Sequence, residues 1–176
     1  DEWRYYQAEF RSVVVESLGE EKSAAIRSGL DQIYIPELKR ADRCVTCHMG
    51  MEWNGLESVE NPYKSHPKEI LKKHPLSKFG CVSCHGGQGY SVEYQTAHGP
   101  VEHWESPLLG KEVAEFYAVS DRKAMLQANC NACHRYDKST EGASYINRAK
   151  ELVNDRGCRA CHVINGRGGT VGPDLT

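Results

Sequence analysis

Apolar positions at the start of the chain recur at three- and four-residue intervals. Trp3, Tyr6, Phe10, Val13 and Val14 therefore fall on one face of a helix. Gly19 interrupts that helix, and Ile26, Leu30 and Ile33 resume a similar pattern as far as Pro36. Residues 49–65 contain Gly50, Gly55, Asn61 and Pro62 and read as loop. Residues 67–74 fit two helical turns with Pro67 at the first position. Residues 86–107 hold Gly86, Gly87, Gly89, Gly99, Pro100 and Pro107, a long irregular stretch. Lys111 to Asn129 reads as a helix carrying Val113, Phe116, Tyr117, Met125 and Leu126. A further helix runs from a Ser139 or Thr140 cap to Arg156, with Glu141 early, Gly157 at its end, and Ile146, Ala149, Leu152 and Val153 as its apolar stripe. No convincing alternating strand is visible. The predicted fold class is mainly α with extensive irregular loops.

Composition sharpens this picture. Of 176 residues, 39% are hydrophobic, which is low for a chain that buries one large core. The mean hydropathy is −0.62, and no run of about 18 apolar residues offers a transmembrane helix. Lys and Arg number 22 against 24 Asp and Glu, a net charge of −2. Such a chain lacks the concentrated basic surface that phosphate binding requires, which argues against nucleic acid as a partner.

All eight cysteines lie in C-x-x-C pairs, and each pair is followed at once by histidine. The four motifs are Cys44-Val45-Thr46-Cys47-His48, Cys81-Val82-Ser83-Cys84-His85, Cys130-Asn131-Ala132-Cys133-His134 and Cys158-Arg159-Ala160-Cys161-His162. C-x-x-C-H is the attachment signature of c-type haem. Two thiols form thioethers with the porphyrin vinyl groups, and the adjacent imidazole reaches the iron as its proximal ligand. Zinc ribbons, thioredoxin-like redox pairs and a disulfide framework also use close cysteines. None of them requires His directly after the second Cys four times out of four. The expected cofactor is therefore haem c, four copies, covalent, with iron. Covalent haem implies an exported, periplasmic or extracellular protein. Residues 1–43 show no basic n-region followed by an apolar h-region, so the chain reads as a processed or trimmed exported protein.

The motifs start 37, 49 and 28 residues apart, so chemistry repeats and length does not. Three segments are expected: an N-terminal helical segment over 1–43, a module for haems 1 and 2 over 44–129, and a module for haems 3 and 4 over 130–176. With 44 residues per haem, porphyrin faces must serve as core.

Four histidines lie outside the motifs: His66, His74, His98 and His103. Beside the four proximal ligands His48, His85, His134 and His162, they invite a bis-His reading of all four irons. His74 stands seven residues before Cys81 and His66 eight residues before His74, each followed by Pro. His98 lies between Ala97 and Gly99, where small neighbours let a haem plane approach. His103, between Glu102 and Trp104, also suits a surface position. Met51 and Met125 are the thioether alternatives, with packing as their other role. Met49 follows His48 at once and cannot fold back over the same iron.

Residues Gly157 to His162, with Gly168-Gly169-Thr170-Val171-Gly172-Pro173-Asp174-Leu175-Thr176, resemble the haem-attachment end of a class I cytochrome c. That resemblance implies that the Pro173 carbonyl orients His162. The family's distal Met lies several tens of residues further on, past Thr176, so the sixth ligand of the last haem stays open between His and Met. The chain as a whole is similar to the multihaem c-type cytochromes of anaerobic and metal-reducing bacteria. The resemblance is carried by Trp3-Arg4-Tyr5-Tyr6-Gln7 with Phe10, by Asp42-Arg43-Cys44, and by Phe79-Gly80-Cys81 with His85-Gly86-Gly87-Gln88-Gly89. It implies an electron carrier with redox partner proteins.

Three functions are expected in turn. The first is electron transfer through four haems, as a soluble carrier, conduit or self-associating filament subunit, without catalysis. The second is a multihaem reductase with one open haem. It would need an open iron face, and no C-x-x-C-K occurs. The third is a subunit of a membrane quinol-oxidising complex, anchored upstream of Asp1.

Overall fold

The computed structural model describes residues 1–36, 38–104 and 106–176. The chain packs as two units, Asp1–Pro107 and Leu108–Thr176.

In the first unit, α1 (Glu2–Leu18) buries Trp3, Gln7, Phe10 and Val14, a stripe at helical spacing. Phe10 and Val14 meet Ile26, Leu56 and Tyr63 in a small core, with Tyr6, Val13, Leu18, Met49, Trp53 and Val59 packed around it. The polar member of the stripe, Gln7, is as buried as its apolar neighbours. Its amide donates to the carbonyls of Gly29 (2.7 Å) and Thr46 (2.9 Å), and its carbonyl accepts from the Gly29 amide (3.0 Å). The helix is thereby tied to the first motif.

The helix stops at Gly19, and a short α2 (Glu20–Ala24) follows. The expected continuation through Leu30 and Ile33 does not form. Ile26 drops into the core, Leu30 is exposed, and Ile33 opens a strand. That strand, β1 (Ile33–Ile35), pairs antiparallel with β2 (Arg40–Asp42), Ile33 opposite Asp42 and Ile35 opposite Arg40. Three residues per strand are too few to show an alternating pattern, so the hairpin escaped the sequence reading.

Short helical turns separated by Pro and Gly make up the rest of the unit. They are α3 (Lys68–Lys73), α4 (Leu76–Phe79), α5 (Val82–His85) and α6 (Tyr94–His98). Pro67 sits one residue before α3, as its cap. The stretch expected to be irregular over 86–107 contains α6, whose first amide, on Tyr94, donates to the Glu2 carboxylate at 2.7 Å.

In the second unit, the helix expected over Lys111–Asn129 is two. The first, α7 (Lys111–Phe116), ends before Ala118, whose φ is 53°. The second, α8 (Arg122–His134), begins at Asp121, whose carboxylate accepts from the Lys123 amide at 2.9 Å. An N-cap aspartate restarts the helix, and α8 then runs through the third motif to His134. The boundary expected between 129 and 130 would fall inside this helix. The last helix, α9 (Ser144–Asp155), starts later than the Ser139 or Thr140 cap. The Asn147 side chain instead holds Thr140 in a turn, accepting from its amide and donating to its carbonyl, both at 2.8 Å.

This unit has little core of its own. Ala114, Ala143 and Ile146 are buried, whereas Phe116 (82%), Tyr136 (76%) and Val171 (89%) are exposed. No helix among the described residues is long and apolar enough to cross a membrane.

Candidate haem centres

Each motif is a tight helical turn, so the second cysteine and the histidine sit one turn beyond the first cysteine. Cys44–Thr46 and Cys158–Ala160 are 3-10 turns, while Cys81 caps α5 and the third motif closes α8. The histidine amide returns to the carbonyl of the first cysteine at His48 (2.8 Å), His85 (2.9 Å) and His162 (3.0 Å), while the third motif lies within α8 itself.

The first motif is gripped from the α1 side. Thr46 is fully buried, its hydroxyl donating to the Asp31 carbonyl (2.9 Å) and accepting from the Asp31 amide (3.0 Å). The Cys44 thiol is hydrogen-bonded to Cys81, which together with burial and the charge of Asp42 pushes its pKa well up. Burial also raises Cys47, with Glu2 adding to it, and Cys130. These thiols stay protonated at neutral pH, before thioether formation.

The ring centroids of His48 and His98 lie 6.0 Å apart with planes at 56°, and those of His66 and His85 lie 6.2 Å apart with planes at 85°. Two imidazoles across one metal, each at about 2 Å from nitrogen to metal with about 1 Å more to the ring centre, would stand about 6 Å apart. Burial and the neighbouring His98 and His85 bring His48 down to about 4. Burial and His66 lower His85 in the same direction. The His48 and His85 rings are therefore neutral at neutral pH, the form that binds metal.

The ring nitrogens are also committed. The His48 ring is hydrogen-bonded to the Pro62 carbonyl. Nδ1 of His98 donates to the Tyr94 carbonyl at 3.0 Å, and Nδ1 of His66 to the Pro67 carbonyl at 3.2 Å. Donation from Nδ1 leaves the Nε2 lone pair for a metal and fixes the ring plane.

In the second unit, Nδ1 of His162 donates to the Pro173 carbonyl at 2.9 Å. This is the contact that the class I resemblance implied. Gly172 lies flush against the same ring, where a Cβ would come within 2.5 Å of Cε1. Nδ1 of His134 meets the Asp137 carboxylate at 2.7 Å, and Lys150 donates to the carbonyls of His134 (2.7 Å) and Asp137 (2.9 Å). The His162 and His134 rings are thus each oriented by a partner on the side away from Nε2.

Of the other spare residues, His74 packs edge-on against Phe79 at 5.2 Å. His103 is 87% exposed in its side chain and pairs with Glu102 at 3.4 Å. Met49 belongs to the small core. Met51 is half-buried in a turn and Met125 half-buried on α8.

Gln7 and Asp42 carry part of the sequence resemblance, which assigns neither of them a contact. Asp42, fully buried, accepts from the amides of Cys44, Cys81 and Val82. An Asp two residues before a helical turn is a local capping signal, which hints at the Cys44 contact but not at the two distant ones.

The family model described as cytochrome c554 and c-prime matches residues 1–86 and 93–163 of the chain. No curated protein and no solved structure matches it.

Proposed function

Because the chain belongs to the cytochrome c554 and c-prime family, whose members are electron-transfer proteins with c-type haem, we propose that it carries four covalent haems c and relays single electrons between redox partner proteins. The observation that carries this reading is the pair of imidazole gaps, His48 to His98 at 6.0 Å and His66 to His85 at 6.2 Å. Rings at that separation, with Nδ1 occupied on His66 and His98 and with His48 and His85 held neutral, fit a six-coordinate iron.

Cys44, Cys47, Cys81, Cys84, Cys130, Cys133, Cys158 and Cys161 would hold the four groups, with His48, His85, His134 and His162 as proximal ligands. His98 and His66 would be the distal partners of His48 and His85, with His74 and His103 the other spare imidazoles of the proposed ligand set. Haem c supplies one-electron exchange between ferric and ferrous iron when bound. The protein's own residues set ring orientation, and burial keeps the His48 and His85 imidazoles neutral. An iron held between two imidazoles would have no open face for a substrate, so the reading is a carrier and not a reductase. A periplasmic or extracellular location, with self-association or a quinol-oxidising complex among the forms of partnership, goes with covalent haem.

An anaerobic spectroelectrochemical titration tests the proposal. The expected result is uptake of four electrons per chain, with no turnover of nitrite by the reduced protein. Uptake of fewer than four, or rapid reoxidation by nitrite, overturns it.

A further inference from the structure

Asp42, the last residue of β2, is fully buried. Its Oδ1 accepts from the Cys44 amide at 3.1 Å, and its Oδ2 accepts from the amides of Cys81 at 2.6 Å and Val82 at 2.8 Å. Cys44 opens the first attachment turn, while Cys81 and Val82 open the second. Leading amides of a helical turn have no partner within the turn. One side chain therefore caps two attachment turns that lie about 40 residues apart in sequence.

The surroundings are shaped to admit this carboxylate. Gly80, with φ of 59°, lies where a Cβ would come within 2.7 Å of Asp42 Oδ2 and 2.7 Å of Ile35 Cδ1. On the other side, the Arg43 amide donates to the Gly89 carbonyl at 2.7 Å. A carboxylate oxygen of Asp42 and the Sγ atoms of Cys44 and Cys81 all lie within 4.8 Å of one another. Three such atoms also suit a metal ion, but both carboxylate oxygens are already taken by N–H donors. The arrangement is a bridge between two thioether positions.

We propose that Asp42 is a positioning residue shared by the haems on Cys44/Cys47 and Cys81/Cys84, setting their attachment edges side by side and, by its charge, holding both reduction potentials down together. The inference rests on the four-haem reading above. An ionised carboxylate only accepts hydrogen bonds, and three N–H donors match that form. A negative charge buried between the two turns would favour ferric iron in a haem held by either, because low surrounding dielectric weakens its screening.

The test compares the holoprotein with Asp42→Asn, using tryptic mass mapping of the four haem peptides and a potentiometric titration. Wild type alone decides the four-haem reading. For Asp42, the expected result is four haems with two of the four potentials raised and two unmoved. Loss of haem from the Cys44 and Cys81 peptides together, with the Cys130 and Cys158 peptides loaded, equally supports the shared role. Four haems with unchanged potentials overturn it. So does a shift or loss at only one of the two sites, or one spread over all four. Gly80→Ala keeps the charge but crowds Oδ2, and is expected to disturb the same two haems and no others. An effect of Gly80→Ala outside that pair would also overturn the proposal.

Discussion

His98 stands opposite His48 with ring centroids 6.0 Å apart, and its Nδ1 is held by the Tyr94 carbonyl of the same short helix. That helix is in turn held at its first amide by Glu2, the residue that opens α1. The His98 ring is thus positioned from the start of the sequence.

Removing either distal ring should open one iron face. His98→Ala and His66→Ala are each expected to convert one low-spin haem to a high-spin or weak-ligand form, and the double variant two. Low-temperature EPR reads this directly. An unchanged low-spin signal in the double variant would remove both residues from the ligand set.

His74→Ala is expected to convert one further haem and raise its potential, since imidazole favours ferric iron more than water or thioether does. A redox titration and EPR of the variant check it, and identity with wild type would exclude His74. His103→Ala should produce the smallest change of the four, because that side chain is 87% exposed and paired with Glu102.

Gly172→Ala should displace the His162 ring, since the new Cβ would come within 2.5 Å of it. The expected outcome is a perturbed spectrum or lost haem at the Cys158/Cys161 site only. Full loading with an unaltered spectrum would mean that the contact relaxes without cost.

Gln7→Leu keeps an apolar face on α1 but strips the carbonyls of Gly29 and Thr46 of their donor. Leaving buried polar groups unsatisfied should cost about 1–3 kcal/mol each, less any gain from the larger apolar side chain. Denaturant unfolding of the holoprotein measures it, and a stability equal to or above wild type would contradict the role given to Gln7.

The helix over the first 18 residues was legible because its stripe needs only one helix face. The Pro173–His162 contact was implied by the class I resemblance, and no periodicity pointed to it. What was not legible is what depends on distant chain segments. His66 and His98 could be named as spare imidazoles, but nothing in their spacing says that one faces His85 and the other His48. Asp42 makes one contact two residues away and two about 40 residues away, and only the first leaves a trace in sequence. The hairpin of Ile33–Ile35 and Arg40–Asp42 is too short to display its period. The break between α7 and α8 depends on Asp121 capping a new helix, which outweighed the continuous apolar pattern around it.

The central claim is that all eight cysteines hold haem. Intact mass spectrometry of the denatured protein tests it most directly, because thioether-bound haem survives denaturation and non-covalent groups do not. The account predicts the chain mass plus four haems as the single dominant species. A chain carrying three or fewer, with the remaining cysteines recovered as a disulfide or released as a zinc site, would contradict it.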